Sequence, residues 1–416
     1  MKILWVNTNF LHPATKGGQI RTLEMLRHLH RWHEIHYVAI ANPAQTESPA
    51  RACEYSAKAH PFPYRIPQKP SPALLWQLAT GIFSPVPLAV SRFHPPGMQP
   101  FLEELIRGEN FDRAVVDHLA PTAYFPDLPR AVLFQHNVET VIWRRRAEHA
   151  SSPLDRWYYQ LQARRMFEFE RRVSLAAGHI VAVSPADATA MRELFGVTRV
   201  SEIPTGVNLE YFQPPATPSA APENAEAADL VFVGSMDWFP NVDGVLYFAR
   251  EILPLIRRRR PDCSVAIAGR TPPPDIAALA ERDSRIRVTG TVPDIRPYLW
   301  SAAVSIVPLR IGGGTRLKIY ESMAARVPVV STTIGAEGLT VHPPTDMRIA
   351  DTPRDFADRC LELLADSDER RRVATAAWEM VNANFSWERV SRCFEEILLA
   401  GPPLGGAGAF ACQPQA

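Results

Sequence analysis

Short apolar runs rich in β-branched residues alternate with helical stretches along most of the chain. The alternation stops once and then restarts. Lys2–Val6, His36–Ile40, Arg113–Asp117, Ala131–Phe134, His179–Val183 and Arg199–Ile203 are strand-like in the first half. Leu230–Val233, Cys263–Ala268, Arg285–Thr289, Ala303–Val307, Val327–Ser331 and Met347–Ile349 are strand-like in the second. Helical patterns lie between them, for example about Gln19–His30, Ser184–Phe195, Val242–Arg258, Thr315–Ala325 and Asp368–Asn384. Such alternation predicts an α/β chain with parallel sheets covered by helices on both faces. The interruption, Pro214–Ala228, is polar, Pro/Ala-rich and aperiodic, as a linker is. A length of 416 residues agrees with two domains. Their strand ends are expected to face across a cleft, since ligands of open α/β sheets bind at the carboxyl ends of strands. The stretch from Pro43 to Pro100 is Pro-rich and gives no clear pattern.

Composition narrows the function classes. Lys+Arg is 45 against Asp+Glu 44, so no basic excess points to nucleic acid. Five scattered cysteines without C-x-x-C exclude a disulfide framework and a zinc knuckle, and suit a reducing cytosol. No apolar run approaches the length of a membrane span, and the first residues lack the pattern of a signal peptide. The expected localisation is cytoplasmic. Only five lysines stand beside 40 arginines, so a lysine that survives this bias is a candidate for a role.

The sharpest local feature is Gly312-Gly313-Gly314-Thr315-Arg316-Leu317-Lys318-Ile319-Tyr320-Glu321, between a strand and a helix. Three glycines let a backbone approach a ligand, and Thr315 is a plausible N-cap. A helix start of this kind is an anion site. Arg316 adds a planar fork suited to phosphate, and Lys318 is the one lysine after Lys69. The Walker A spacing is absent, so this is not a P-loop. Glu321 falls at the edge of the apolar helix face, where a ribose diol would satisfy it; the alternative is an ion pair with Lys318 at i,i+3.

Other features are weaker. Lys16-Gly17-Gly18 follows the first strand without a complete GxGxxG, which counts against a nicotinamide or flavin dinucleotide. His118 and His136 each stand just past a buried strand, at the rim where ligands meet a sheet. Pro204-Thr205-Gly206-Val207-Asn208 is a tight exit turn. The single Asp-x-Asp, at Asp366, falls between two helices, so no metal-diphosphate site is expected on it.

Taken together, these residues resemble the family 4 retaining glycosyltransferases of the GT-B fold. The resemblance covers nearly the whole chain. It is sharpest at Phe232–Trp238, at Gly312–Glu321 and at Met323–Val330, which is similar to the family's E-A-M-A-x-G-x-P-V-V run. The turn at Pro204–Asn208 resembles its P-N-G-V-D. His136-Asn137-Val138-Glu139 is similar to a variant among sugar transferases of bacterial exopolysaccharide systems, including those linked to PEP-CTERM sorting.

The resemblance implies two Rossmann-like domains, 1–205 on the acceptor side and 229–385 on the donor side. Residues 206–228 would link them, 386–400 would form a helix returning to the first domain, and 401–416 a disordered tail. It implies a UDP- or GDP-sugar as co-substrate, with no cofactor and no metal. Glu321 would hold the ribose. Gly269, Arg270 and Val292 would border the nucleobase. Gly17 and Gly18 would approach the phosphates, and His118 or His136 the reacting sugar. Gly313 replaces the first Glu of the family's E-x7-E motif, and Ser235 and Asn241 stand where most members carry a diphosphate-binding Arg and Lys. Arg316 and Lys318 are therefore expected to neutralise the diphosphate, beside the amides of Gly312, Gly313 and Gly314 and the cap Thr315.

The implied acceptor is a saccharide or lipid-linked saccharide. Alternatives are a non-catalytic GT-B subunit that binds nucleotide sugars and a nucleotide-sugar 2-epimerase. The Arg- and aromatic-rich segment Trp143–Arg172 reads as a long core-packing helix with a solvated charged face. Its other reading is peripheral contact with an anionic membrane, at the inner face, near a lipid-linked acceptor.

Overall fold

The computed structural model describes residues 1–14, 17–44, 47–66, 84–148, 150, 152–215, 227–311 and 317–400. The chain forms two compact units, Met1–Pro204 with the segment from Trp387 onward, and Thr205–Ser386. Each is a parallel α/β sheet.

The first unit has strands β1 (Lys2–Asn9), β2 (Glu34–Ala41), β3 (Lys58–Pro63), β4 (Arg113–Asp117), β5 (Ala131–Gln135), β6 (His179–Ala182) and β7 (Val200–Glu202). They lie in the order β3-β2-β1-β4-β5-β6-β7. β1 pairs with β2 on one side and β4 on the other, Val6 opposite both Val38 and Val116. Strand order reverses at this point, and the crevice beyond the strand ends there is where ligands of such sheets bind. The central strands are apolar on both faces, as sheets covered twice must be.

Helices of two turns or more are numbered in chain order. The first unit contains α1 (Gly17–Leu29), α2 (Met98–Gly108), α3 (Glu139–Glu148), α4 (Pro153–Ala176) and α5 (Pro185–Phe195). α4 and α5 start at Ser152 and Ser184, whose hydroxyls accept from the third residue on, followed by Pro at the first helical position.

The second unit has β8 (Ala228–Val233), β9 (Val265–Ala268), β10 (Ile286–Val288), β11 (Ala302–Val307), β12 (Val329–Ser331) and β13 (Arg348–Ile349). Their order is β10-β9-β8-β11-β12-β13, so it reverses at β8. Its helices are α6 (Phe239–Tyr247), α7 (Pro274–Arg282), α8 (Leu317–Ala324), α9 (Pro353–Ala365) and α10 (Ser367–Asn384). The last helix, α11 (Trp387–Ala400), belongs to the first unit. It lies on α1, and Phe394 packs against Trp5 and Phe134 in the core of that unit.

Several elements differ from the sequence reading. β3 emerges from the unassigned Pro-rich stretch; its prolines, Pro61 and Pro63, are tolerated because it is an edge strand. The helix expected over Val242–Arg258 is broken by a π turn at Phe248–Ile252, just ahead of Pro254, which has no N–H to give. The expected linker is structured at its start: Val207 N donates to Phe385 O at 2.7 Å, and Phe212 is buried in the second unit's core. Residues 216–226 of that linker, and the tail 401–416, lie outside the described residues. Among the described residues Cys53, Cys263 and Cys360 are free. Among the described residues no helix is long and apolar enough to cross a membrane.

Candidate functional site

In the first unit the strand-order reversal gathers a polar cluster in an apolar core. β4 ends in Asp117, which is fully buried. Its Oδ2 accepts from Trp5 Nε1 at 3.0 Å, Asn7 Nδ2 at 2.7 Å and Thr22 Oγ1 at 2.8 Å. Its Oδ1 lies 2.7 Å from His136 Nε2. Arg21 Nη1 lies 3.1 Å from the other ring nitrogen, His136 Nδ1. A guanidinium can only donate, so Nδ1 accepts and the His136 proton sits on Nε2, pointing at Asp117. Burial, with His118 alongside, pushes His136 down to about 3, so the ring is neutral. Burial alone would raise the Asp117 carboxyl. The histidines and the donors around it outweigh that and hold it below the usual carboxylate range.

His118 lies over His136, ring centroids 3.9 Å apart and nearly parallel. Its backbone is left-handed, with φ 72°. That costs a non-glycine residue about 1–2 kcal/mol, and the His118 N–H bond to Phe134 O at 2.9 Å helps hold it. The two rings differ in access: the His118 side chain is 34% exposed, that of His136 2%. Burial and Arg21 lower the His118 pKa against the opposing pull of Asp117. Gly18, at the start of α1, faces these rings. A Cβ there would lie 3.0 Å from His118 Cε1, so the ring occupies the space a side chain would need. Gly17 is exposed, and Lys16 lies outside the described residues.

Nitrogen and oxygen atoms of Asp117, His118 and His136 lie within 4.8 Å of one another, a spacing compatible with a cation. The donor set does not fit one. His136 already uses both nitrogens, and the Arg21 cation sits against one of them.

In the second unit the corresponding reversal is at β8. Gly234 follows β8 and Gly269 follows β9. A Cβ on Gly269 would fall 1.9 Å from Gly234 O, so this glycine is required by backbone packing. Arg270 is anchored, Nε donating to Ser235 Oγ at 2.7 Å and Nη2 to Asp237 Oδ2 at 2.9 Å. Val292 lies half-buried in the loop after β10.

Lys318, in the first turn of α8, reaches back to this strand end. Its Nζ donates to Asn241 Oδ1 at 2.7 Å and lies 4.3 Å from the Phe232 ring centroid. Asn241 Nδ2 in turn donates to Ser235 O at 2.7 Å. Glu321, one turn along α8, makes no side-chain hydrogen bond or ion pair among the described residues. Burial pushes it up to about 7, with Lys318 pulling the other way. The i,i+3 ion pair weighed above is therefore not formed. Near Glu321, Tyr211 lies under the Arg296 guanidinium at 3.9 Å, and Asp294 holds Arg296 through both carboxylate oxygens. Gly312, Gly313, Gly314, Thr315 and Arg316 lie outside the described residues. Arg310, just before them, is fixed by Asp243 at 2.6 Å and stacks on Tyr247.

Two family models account for most of the chain. Residues 15–211 match Glycosyltransferase Family 4 and residues 227–366 match Glycosyl transferases group 1. The chain belongs to the GT-B glycosyltransferases. Its fold is similar to sucrose-phosphate synthase of Thermosynechococcus elongatus, with TM-score 0.71 and 16% identity over 95% of this chain and 97% of that one. It is also similar to HepE of Anabaena, solved with UDP-glucose, with TM-score 0.66 and 14% identity over 96% of this chain and 100% of that one. In sequence it is 32% identical over 167 residues to O-antigen chain mannosyltransferase B of Escherichia coli, covering 38% of this chain and 42% of that protein. The chain spans less than half the length of the curated relatives it matches.

For this glycosyltransferase, sequence reasoning found His118, His136 and Gly18, which the structure brings together, and Lys318 and Glu321 on one helix. It overlooked Asp117 and Arg21. Asp117 directly precedes His118 at a strand end, and Arg21 lies one turn after Gly18 on the buried side of α1. Both signals were present, but a lone acid or arginine in such places is ordinarily solvated.

Proposed function

We propose that the chain transfers a sugar from a nucleoside-diphosphate sugar, UDP- or GDP-linked, to a saccharide or lipid-linked saccharide acceptor with retained configuration. The observation that carries this reading is Glu321. It is a carboxylate raised to about 7 by burial and lacking a side-chain partner among the described residues, one turn from a lysine held at the end of β8. A ribose diol supplies the two donors it lacks. HepE, solved with UDP-glucose, shares the fold, and the mannosyltransferase relative supports a role in polysaccharide assembly.

In this reading the anomeric carbon's bond to the β-phosphate oxygen breaks and one to the acceptor hydroxyl forms on the same face. The hydroxyl proton passes to the departing phosphate. Negative charge grows on the diphosphate, and Lys318, held at the end of β8, is the described cation that would stabilise it; Arg316 and the glycine run, outside the described residues, are assigned the same role from the sequence. His118 is the accessible ring of the first unit's cluster. His136, Asp117 and Arg21 hold that ring in place. Gly17 and Gly18 leave room beside it, and Arg270 and Val292 border the base.

The test is calorimetric titration of UDP and GDP, ribo against 2′,3′-dideoxy, into wild type and Glu321→Gln. Wild type should prefer the ribo form and the variant should lose much of that preference. Equal discrimination by both proteins would remove the ribose assignment. Incubation with labelled UDP- and GDP-hexoses then separates transfer from binding alone. Label retained in the nucleotide sugar with every acceptor would favour the non-catalytic subunit, and an epimerised free sugar the epimerase.

A further inference from the structure

The strands of the second sheet run parallel, so their starts gather at one edge and their ends at the other. Lys318 and Asn241 meet at the carboxyl edge, beyond β8. At the amino edge, the starts of β8, β9 and β11 and the segment before β12 surround a cavity of about 440 Å³. That size suits a small molecule. β8 spans six residues, so about 20 Å separates the two edges at the usual rise per residue. The cavity floor is made of small side chains, Ala228, Ala302 and Ala374, with Ala228 opposite Ala302 in the strand ladder. One wall is α10, where Arg371, Ala374 and Trp378 follow at i, i+3 and i+7 on one helix face. Arg370 stands one turn before Ala374, and Arg326, just past the end of α8, completes the rim.

Most arginines around this edge have a carboxylate. Arg371 pairs with Asp368, Arg372 with Glu369, and Arg260 Nη2 donates to Asp229 Oδ1 at 2.7 Å. Asp229 lines the cavity, but Arg260 and Ser264 N, the latter at 2.8 Å, already occupy its two oxygens. Arg326 and Arg370 make no ion pair among the described residues. Arg370 Nη1 donates to Leu363 O at 3.0 Å. The Arg326 guanidinium lies over the Trp378 ring at 4.0 Å from its centroid. Stacking uses the face of the group and leaves its in-plane N–H donors for an acceptor. The cavity rim thus carries two positive charges that no carboxylate balances. The backbone points the same way. Arg326 has φ 57° at the position where the resembling family carries glycine. A left-handed arginine is strained, and glycine would be unstrained there. A solvated surface explains an arginine, but it gives no reason for one at a backbone position suited to glycine, stacked and facing a cavity with a second unbalanced guanidinium.

We propose that this cavity binds a small phosphomonoester with a polar body, its phosphate held by Arg326 and Arg370 and its hydroxyls by Ser264 and Ser301. A phosphomonoester is close to a dianion at neutral pH, which matches the two unbalanced guanidiniums. Guanidinium forks fit phosphate oxygens, and the two serine hydroxyls can accept from a hydroxylated body. The site lies at the edge of the sheet opposite Lys318 and Glu321. The proposal does not depend on sugar transfer, and its test does not read activity.

The test is calorimetric titration of ribose 5-phosphate, with ribose as the uncharged control, into the full chain. Ribose 5-phosphate should bind and ribose should not. Arg326→Gly and Arg370→Gln should each weaken binding about ten- to a hundredfold, the worth of one charge-assisted contact. Glycine suits the left-handed backbone and glutamine suits a helix, so both variants should melt close to wild type and a folding defect is separable. Lys318→Ala, at the opposite edge, should bind ribose 5-phosphate as wild type does. Absence of binding, equal binding of ribose, or unchanged affinity in both arginine variants would overturn the proposal. Affinity lost in Lys318→Ala but kept in the arginine variants would place the phosphate at the carboxyl edge and overturn it too.

Discussion

The Lys318 ammonium donates to Asn241 Oδ1 at 2.7 Å, joining the first turn of α8 to the segment that follows β8. The contact needs Gly234, because a Cβ there would lie 2.6 Å from Lys318 Nζ and 2.8 Å from Asn241 Nδ2. A lysine from a later helix thus lies beside Ser235 and Asn241, where the resemblance led one to expect an Arg and a Lys.

Two variants follow from this relationship. Lys318→Ala should weaken UDP and GDP binding about ten- to a hundredfold, the worth of one charge-assisted contact. Gly234→Ala should produce a smaller loss in the same direction. The clashing atoms are ends of flexible side chains, so the lysine moves rather than the backbone. Both should melt close to wild type. Unchanged nucleotide affinity in both, by calorimetry, would detach Lys318 from the diphosphate.

His118 and His136 should separate in their effects although their rings touch. His118→Ala should cut turnover by about ten- to a hundredfold with little change in stability, because the accessible ring is lost and the buried network remains. His136→Ala should instead destabilise the first unit by about 1–3 kcal/mol, since it leaves Asp117 and Arg21 short of a partner. Urea unfolding gives the second quantity. His136 also sets a pH dependence. Its pKa is about 3 in the fold against 6.5 when unfolded, so the unfolded chain binds more protons between those values. Its contribution is complete above about 6.5 and is lost as pH falls toward 3.

Glu321 titrates in the opposite sense. Burial raises it to about 7 from the 4.5 usual for a glutamate, so in that interval the folded state holds the extra proton. Its ionisation opposes stability as pH rises through the interval. A ribose diol prefers the ionised carboxylate as acceptor, so nucleoside binding should strengthen between pH 6 and 8 in wild type. Glu321→Gln should flatten that part of the profile. Parallel profiles for the two proteins, measured with the same nucleotide, would assign the pH response to the phosphate instead.

The alternation of strands and helices was legible because parallel strands covered on both sides are nearly continuous apolar runs. β3 was not, because an edge strand tolerates Pro61 and Pro63 and loses the apolar signature with them. The ends of β4 and β5 pointed to His118 and His136, but which of them is accessible depends on a left-handed turn at His118 that spacing does not encode. Asp117 was hidden by its own chemistry. A buried acid is stable only with its donors, and Trp5, Asn7, Thr22 and His136 come from three separate parts of the chain. Lys318 and Glu321 were legible as a pair on one helix. Their failure to bond each other was not, because it depends on Asn241 claiming the lysine from 77 positions away.

Arg326 offers a last test, of backbone and side chain together. It stands where the resembling family carries glycine and has the left-handed backbone that glycine favours, with φ 57°. Its guanidinium lies 4.0 Å from the Trp378 ring centroid, so the side chain offsets part of the strain. An exposed contact of that type contributes about 0.5–1 kcal/mol, and the left-handed backbone costs a non-glycine residue about 1–2 kcal/mol. Arg326→Ala keeps the strain and loses the stack, so it should be less stable than wild type by about the worth of the stack. Arg326→Gly loses the stack and relieves the strain, so it should be more stable than Arg326→Ala by about 1 kcal/mol. It should also lie near wild type, held slightly lower by the extra freedom of glycine in the unfolded chain. Urea denaturation of the three proteins gives the ranking directly. Alanine equal to or better than glycine at this position would show that the turn after α8 does not hold a left-handed residue.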